Sequence, residues 1–182
     1  MIKLGLLGNN ISKSEMPNLI TKLGNEFGFE VKYKLFDQAL ETKFNFKKFL
    51  NQIKEKNIYG INVTYPFKEL ALEHSIKLSE ETKLVKSTNL ILINESMTSY
   101  NTDYSGFLNT YKFNFNKEPS KLVILGGGGV GKSVCFALIK LGVKELYIIE
   151  KDHIKLEKLI EDLKKQHEQI YSINLGELRE NQ

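Results

Sequence analysis

Cysteine is almost missing from this chain. Cys135 stands alone, so no intrachain disulfide forms. Its neighbours Val134, Phe136 and Ala137 predict a buried, inert thiol. Arginine is as scarce, with Arg179 the only one. Nucleic-acid readers depend on bidentate arginine contacts, and the lysines of this chain are scattered among glutamates. The net charge of +4 therefore describes a solvated surface, not a nucleic-acid face. Long apolar runs are missing too, which argues against a membrane helix. The first residues, MIKLGLLG, do not have the layout of a signal peptide, and a cytoplasmic location is expected. No internal repeat or low-complexity stretch is present.

What is present is an ordinary globular composition. The 182 residues are 41% hydrophobic and 26% charged, enough for one sizeable core or two small ones. Ile2 to Leu7 is an apolar run ending at Gly8 and reads as a buried strand. After a polar loop, Asn9 to Glu15, Pro17 starts a helix over Asn18 to Phe27. Val31, Tyr33 and Leu35 alternate with lysines and predict a strand. Phe46, Phe49, Leu50 and Ile53 have helical spacing within Phe44 to Lys56. A strand over Ile58 to Val63, a helix over Phe67 to His74 and a Ser79-capped helix toward Lys86 follow. Leu90 to Ile93 and Met97 to Tyr100 are expected to pair. Alternating strands and helices favour an α/β layer architecture.

A connecting helix is expected over Ser105 to Tyr111, then a polar linker over Asn114 to Ser120. A second unit begins with a buried strand, Leu122 to Leu125, and a glycine-rich turn. An apolar helix over Ser133 to Leu141 stops at Gly142, and a strand over Leu146 to Ile149 follows. Ile154, Leu156, Leu159, Ile160 and Leu163 mark an amphipathic helix, with one more strand over Gln169 to Asn174. The division is 1–104, a connection at 105–120, and 121–182.

The segment LVILGGGGVGKS fits two motifs. Gly126, Gly128 and Gly131 fit G-x-G-x-x-G, the dinucleotide fingerprint, while Gly126, Gly131, Lys132 and Ser133 fit the nucleoside-triphosphate P-loop. Both set backbone N–H groups and a helix N-terminus against phosphate. Two features favour the dinucleotide. Only about fifty residues follow the turn, little room for a P-loop domain. The next strand ends in Glu150, nineteen residues past Gly131, where an acidic residue accepts from ribose hydroxyls. That carboxylate suits the free 2′-hydroxyl of NAD and repels the 2′-phosphate of NADP, with Lys151 softening the repulsion. NAD is the expected cofactor over NADP, held by Gly126, Gly128, Gly129, Val130, Gly131, Glu150 and Lys151. The P-loop stays as the alternative.

Upstream, Gly60-Ile61-Asn62-Val63-Thr64-Tyr65-Pro66-Phe67-Lys68 resembles the G-x-N-V-T-x-P-x-K signature of the shikimate/quinate dehydrogenase family. Ser99 to Phe107 resembles that family's G-x-N-T-D-x-x-G-F, with Ser99 for the first glycine. Lys86-Ser87-Thr88-Asn89-Leu90 looks like its G-A-V-N-T element with the asparagine intact, and Leu4 to Ser14 looks like its first strand and serine loop. The elements keep the family's order over positions 4 to about 150.

The resemblance implies an α/β substrate-binding domain followed by an incomplete Rossmann-type dinucleotide-binding domain. It also implies hydride transfer between NAD(P) and 3-dehydroshikimate/shikimate, or the quinate analogues, in the pathway to chorismate and the aromatic amino acids. It casts Lys68 as acid/base, Asp103 as its partner, and Ser14, Thr64 and Asn89 as substrate contacts. Taken alone, Lys68 reads as a surface lysine and Asp103 as a helix cap. The implied partner is a small molecule, with no nucleic acid, membrane or metal, and the chain is a monomer or homodimer.

Two departures stand out. Met16 replaces the family's second loop hydroxyl, which removes a charge-assisted hydrogen bond worth about 1.5–3 kcal/mol. The family's members are also considerably longer, so a truncated, catalytically inactive remnant that binds substrate or nucleotide is the second reading.

Overall fold

The computed structural model describes residues 1–39, 44–74 and 77–173, and every element named below lies within them. By packing, the chain divides into two units, Met1–Thr102 and Asp103–Gln182.

The first unit runs β1 (Ile2–Gly8), α1 (Met16–Glu26), β2 (Val31–Asp37), α2 (Phe46–Glu55), β3 (Gly60–Val63), α3 (Leu70–Glu73), β4 (Lys77–Leu78), α4 (Glu80–Val85), β5 (Leu90–Ile93) and β6 (Met97–Tyr100). Its sheet has the order β2-β1-β3-β5-β6-β4. β1 is parallel to β2 and β3, and β5 is antiparallel to β3 and β6. The helix starts follow from local chemistry. Pro17 lies in the first turn of α1. The Asn45 side chain accepts from Lys48 N at 2.9 Å to cap α2, and Ser79 Oγ accepts from Thr82 N at 3.3 Å to cap α4. The apolar stripe of α2 (Phe46, Phe49, Leu50, Ile53) packs with Leu7, Ile61, Val63, Ile91, Ile93 and Met97 into one core.

Two features of this unit depart from expectation. The helix expected from Phe67 is the single turn of α3, because Phe67 N donates to Thr64 O at 2.9 Å and spends those residues in a tight turn. β4 has no counterpart among the expected strands, since two residues show no alternation.

The second unit runs α5 (Thr102–Asn114, its first residue still in the first unit), β7 (Lys121–Leu125), α6 (Gly129–Lys140), β8 (Glu145–Ile149), α7 (His153–Lys164) and β9 (Ile170–Ser172). β7, β8 and β9 form a parallel sheet in that order. α5 starts earlier than the expected Ser105 and takes in Asn114, the first residue of the expected linker. β9 falls within the expected last strand, of which Asn174 lies outside the described residues. Cys135 is buried, as expected, and burial pushes its thiol up to about 12.

β7 corrects the expectation of a buried strand, since Val123 is 53% and Leu125 79% exposed. The strand lies at the sheet's edge. Alternation turns those two residues away from the side on which Leu146, Ile148 and Ile170 are buried.

Candidate functional site

In the first unit, the segments carrying four candidate residues are tied at one rim of the sheet. Thr64 follows β3, and its N–H donates to Leu7 O at 2.9 Å, which sets it beside the end of β1. Asn9 N donates to Tyr65 O at 3.0 Å, bringing the loop that carries Ser14 to the same end. Gly8 permits the approach, since a Cβ there would stand 2.4 Å from Thr64 Cγ2. Lys68 follows the turn after Pro66, and its carbonyl accepts from Thr88 N at 3.1 Å. Asn89, the next residue, presents its carbonyl to Val63 N at 2.8 Å. Ser14, Thr64, Lys68 and Asn89 are all half-buried.

Their side chains are partly spoken for. Ser14 Oγ accepts from Met16 N at 3.3 Å, so the residue that departs from the family pattern still meets the serine through its backbone. Asn89 Oδ1 accepts from Thr102 N at 2.8 Å and Oγ1 at 3.1 Å, and Asn89 Nδ2 stands 2.8 Å from the same hydroxyl. The Asn89 carboxamide thus holds Thr102, the last residue of the first unit. Asp103 is the next residue along the chain, half-buried in the first turn of α5.

Supporting residues went unnoticed in the sequence. The Asp37 carboxylate accepts from Asn10 N and Ile11 N, both at 2.9 Å, and from Ala39 N at 3.1 Å. These backbone donors, Ala39 first, hold the Asp37 carboxyl below its ordinary range. Asp37 thereby anchors the loop that carries Ser14. Tyr33 OH donates to Asn62 Oδ1 at 2.8 Å across the intervening β1, and burial pushes the Tyr33 phenol upward. Neither partner is near the other in sequence, so no local pattern announces these bonds.

In the second unit each fingerprint glycine has a distinct steric reason. Gly126 has φ +95°, a left-handed conformation that other residues seldom adopt. A Cβ on Gly131 would lie 1.9 Å from Gly126 O, so only glycine lets α6 start that close to the turn. Gly128 has nothing within 4 Å of its Cβ direction, which leaves the backbone open to a ligand. Val130 and Lys151 are exposed, and Gly129 and Val130 open α6, where the first N–H groups lack intrahelical acceptors.

Glu150 braces this turn. Its carboxylate accepts from Gly127 N at 2.7 Å, Lys151 N at 2.7 Å and Asp152 N at 3.1 Å. Those bonds, Asp152 first and Gly127 next, hold its carboxyl below the ordinary value. Lys132, the lysine of the P-loop pattern, is only 7% exposed and lies 3.9 Å from Asp162 Oδ2 of α7. A P-loop lysine has to reach a triphosphate, and one buried against a carboxylate of α7 is committed elsewhere.

This geometry, an α/β unit followed by a parallel β-α-β turn with fingerprint glycines, has close parallels. Residues 6–91 match the family model of the shikimate dehydrogenase substrate binding domain. A shikimate dehydrogenase (NADP(+)) from Clostridium beijerinckii is 32% identical over 151 residues, covering 81% of this chain and 54% of that protein. Over most of its length the chain is similar to shikimate and quinate dehydrogenases. Solved structures agree. The quinate dehydrogenase from Corynebacterium glutamicum in complex with NAD has a TM-score of 0.84 at 26% identity over 94% of this chain. The shikimate 5-dehydrogenase from Thermus thermophilus in complex with NADP(H) and shikimate has a TM-score of 0.80 at 28% identity over 99%.

The chain spans 64% and 66% of those two structures' chains. The family model ends before Asp103 and the glycine turn, whereas the structural match runs through both. The relatives' names and structures bring in both dinucleotides, NADP(+) and NAD, and do not support the expected preference for NAD. No helix among the described residues is long and apolar enough to cross a membrane.

Proposed function

We propose that this chain supplies the substrate-binding unit and the pyrophosphate-binding turn of an NAD(P)-dependent oxidoreductase acting on shikimate, quinate or a close polyhydroxylated ring acid. One observation carries the reading. Main-chain bonds join the segments of Ser14, Thr64, Lys68 and Asn89 at one sheet rim, on the motifs that the family places around its substrate.

In this reading Ser14 and Thr64 hydrogen-bond the polar groups of the ring acid. A site that bonds hydroxyls in this way rejects analogues lacking them, because its own polar groups would be left unpaired. Lys68 is the acid/base. When the ring carbonyl is reduced, the Lys68 ammonium gives a proton to the oxygen, and in the reverse direction neutral Lys68 takes it from the hydroxyl. Before transfer, its positive charge stabilises the developing alkoxide. Asp103 orients the lysine and accepts from a ring hydroxyl. Asn89, engaged with Thr102, steadies the residue that precedes Asp103. The nicotinamide, when bound, supplies or accepts the hydride.

The cradle of Gly126, Gly128 and Gly131 suits the dinucleotide's pyrophosphate, with the open backbone at Gly128 and the N–H groups of Gly129, Val130 and Gly131 facing it. Lys151 borders the adenosine ribose. The ionised Glu150 supports NAD over NADP by repelling a 2′-phosphate, in contrast to the relatives named for NADP(+).

The test follows reduced-nicotinamide absorbance of the purified chain with shikimate or quinate and either dinucleotide, alongside calorimetric titration of each ligand. Binding of the ring acid that weakens in Lys68→Ala supports the reading. Turnover abolished in Lys68→Ala and Asp103→Ala supports the full mechanism. Binding of ring acid without turnover supports the binding-only reading. No binding of either ligand rejects both.

A further inference from the structure

β2 alternates the exposed Lys32 and Lys34 with the half-buried Val31, Tyr33 and Leu35. Packing asks for apolar surface at the half-buried positions, and Tyr33 carries a hydroxyl besides. That hydroxyl crosses β1 to reach Asn62 of β3. In register, Leu4 lies beside Tyr33 and Leu6 beside Asn62, so all four share one face of the sheet. Gly8 and Thr64 continue that face, since a Cβ on Gly8 would meet Thr64 Cγ2. The face therefore leads from Tyr33 to the rim that carries Thr64.

The bonds along this path have one consistent direction. Asn89 O accepts from Val63 N at 2.8 Å and from Asn62 Nδ2 at 3.5 Å. A carbonyl only accepts, so the Asn62 carboxamide turns Nδ2 to it and leaves Oδ1 for Tyr33. The phenol then has to donate, which it does at 2.8 Å. Burial pushes the Tyr33 phenol upward and keeps that proton in place. Asn89 N donates to Tyr100 O at 3.2 Å, and the Asn89 carboxamide holds Thr102. The path runs from Tyr33 through Asn62 and Asn89 to Thr102, one residue before Asp103.

We infer that Tyr33 is a positioning residue of the ring-acid site, acting through the Asn62 carboxamide to hold the turn at Asn89. The inference rests on the proposed function, in which Asn89 steadies the approach to Asp103. Without the phenol, Asn62 Oδ1 is left part-buried and without its donor. The carboxamide then turns Oδ1 toward water and draws Nδ2 away from Asn89 O. Packing alone leaves the hydroxyl without a purpose, since phenylalanine fills the same space.

A double-variant cycle on Tyr33→Phe and Asn62→Ala in the full chain tests it. Calorimetric titration with shikimate and with quinate reads the site, and amide exchange at Asn89 and Thr102 reads the turn. Circular dichroism checks each fold; if Asn62→Ala does not fold, Asn62→Leu, closer in volume, takes its place. Tyr147→Phe, which removes a phenol bonded to Glu145 in the second unit, is the control. Tyr33→Phe is expected to weaken ring-acid binding about three- to tenfold, the worth of one neutral hydrogen bond, and to speed exchange at Asn89 and Thr102. Added to the Asn62 variant, it changes neither further, and Tyr147→Phe leaves both at the parent level. Parent affinity retained in Tyr33→Phe overturns the inference alone. So does a full further loss in the Asn62 variant, which shows that Tyr33 does not act through Asn62. A parent chain that binds neither acid rejects the proposed function, and the role of Tyr33 with it.

Discussion

The glycine turn permits a sharp separation between folding and binding. In Gly131→Ala the new methyl would stand 1.9 Å from the carbonyl oxygen of Gly126 and 2.9 Å from its carbon. Non-bonded heavy atoms rest at about 3.5–4.0 Å, so α6 and the turn must part by more than an ångström. The atom met is backbone and cannot rotate away, and the turn is tied to β8 by Gly126 N donating to Ile149 O at 2.8 Å. Overpacking of this kind costs about 1–3 kcal/mol, and this contact belongs at the upper end. Gly128→Ala meets nothing within 4 Å. Its backbone, φ −68°, suits alanine, and the loss of glycine at the N-cap costs about 1 kcal/mol at most. The methyl instead occupies the space left open to a pyrophosphate.

Denaturant unfolding, read through amide exchange at Leu122–Leu125 and Leu146–Ile149, reports the second unit alone. Fluorescence titration with NADH and NADPH reports binding. The expected outcome is a loss of about 3 kcal/mol for Gly131→Ala. For Gly128→Ala it is at least tenfold weaker binding, about 1.4 kcal/mol, with stability nearly unchanged. A Gly131→Ala variant as stable as the parent, or a Gly128→Ala variant that binds dinucleotide normally, refutes the assignment of steric roles in the turn.

Two further predictions follow from buried and bonded carboxylates. Asp162→Ala removes the carboxylate that stands 3.9 Å from the buried Lys132 and 3.4 Å from Lys165, which costs about 1–3 kcal/mol and shows as early melting of the second unit. Asp162→Ala with an unchanged melt denies the pair a structural role. The Asp37 carboxyl is lowered from its model-compound value of 3.8 by folding. Its contribution is therefore complete above pH 3.8 and is lost as pH falls below that through the folded value. Amide exchange at Asn10 and Ile11, corrected for intrinsic rate, accelerates in that acid window. In Asp37→Ala it is fast at every pH, and protection that survives the substitution disproves the anchor.

What could be read from the sequence was what is local in the chain. The Ser79 cap acts over three residues, the stripe of α2 over eight, and the fingerprint glycines within six; all stand out in a short window. The anchor from Asp37 to Asn10 and Ile11 spans more than twenty-five residues, and the Tyr33–Asn62 bond twenty-nine. These depend on which strands become neighbours, which a window cannot state. The ambiguity at Lys132 has the same origin. Gly-Lys-Ser reads as a phosphate loop until Asp162, thirty residues on, is seen beside the lysine. The misjudged burial of β7 shows the converse limit. Leu122 to Leu125 is apolar on both sides, and only the arrangement of its neighbours determines which side is covered.

The central claim is that the rim joining Thr64, Lys68 and Asn89 receives a polyhydroxylated ring acid. Amide-resolved NMR of the intact chain, titrated with shikimate and then with quinate, tests it most directly. The account predicts saturable shifts concentrated at Ser14, Thr64, Lys68 and Asn89, with affinity reduced in Lys68→Ala. Spectra unchanged at millimolar ligand, or shifts clustered elsewhere in the chain, contradict it.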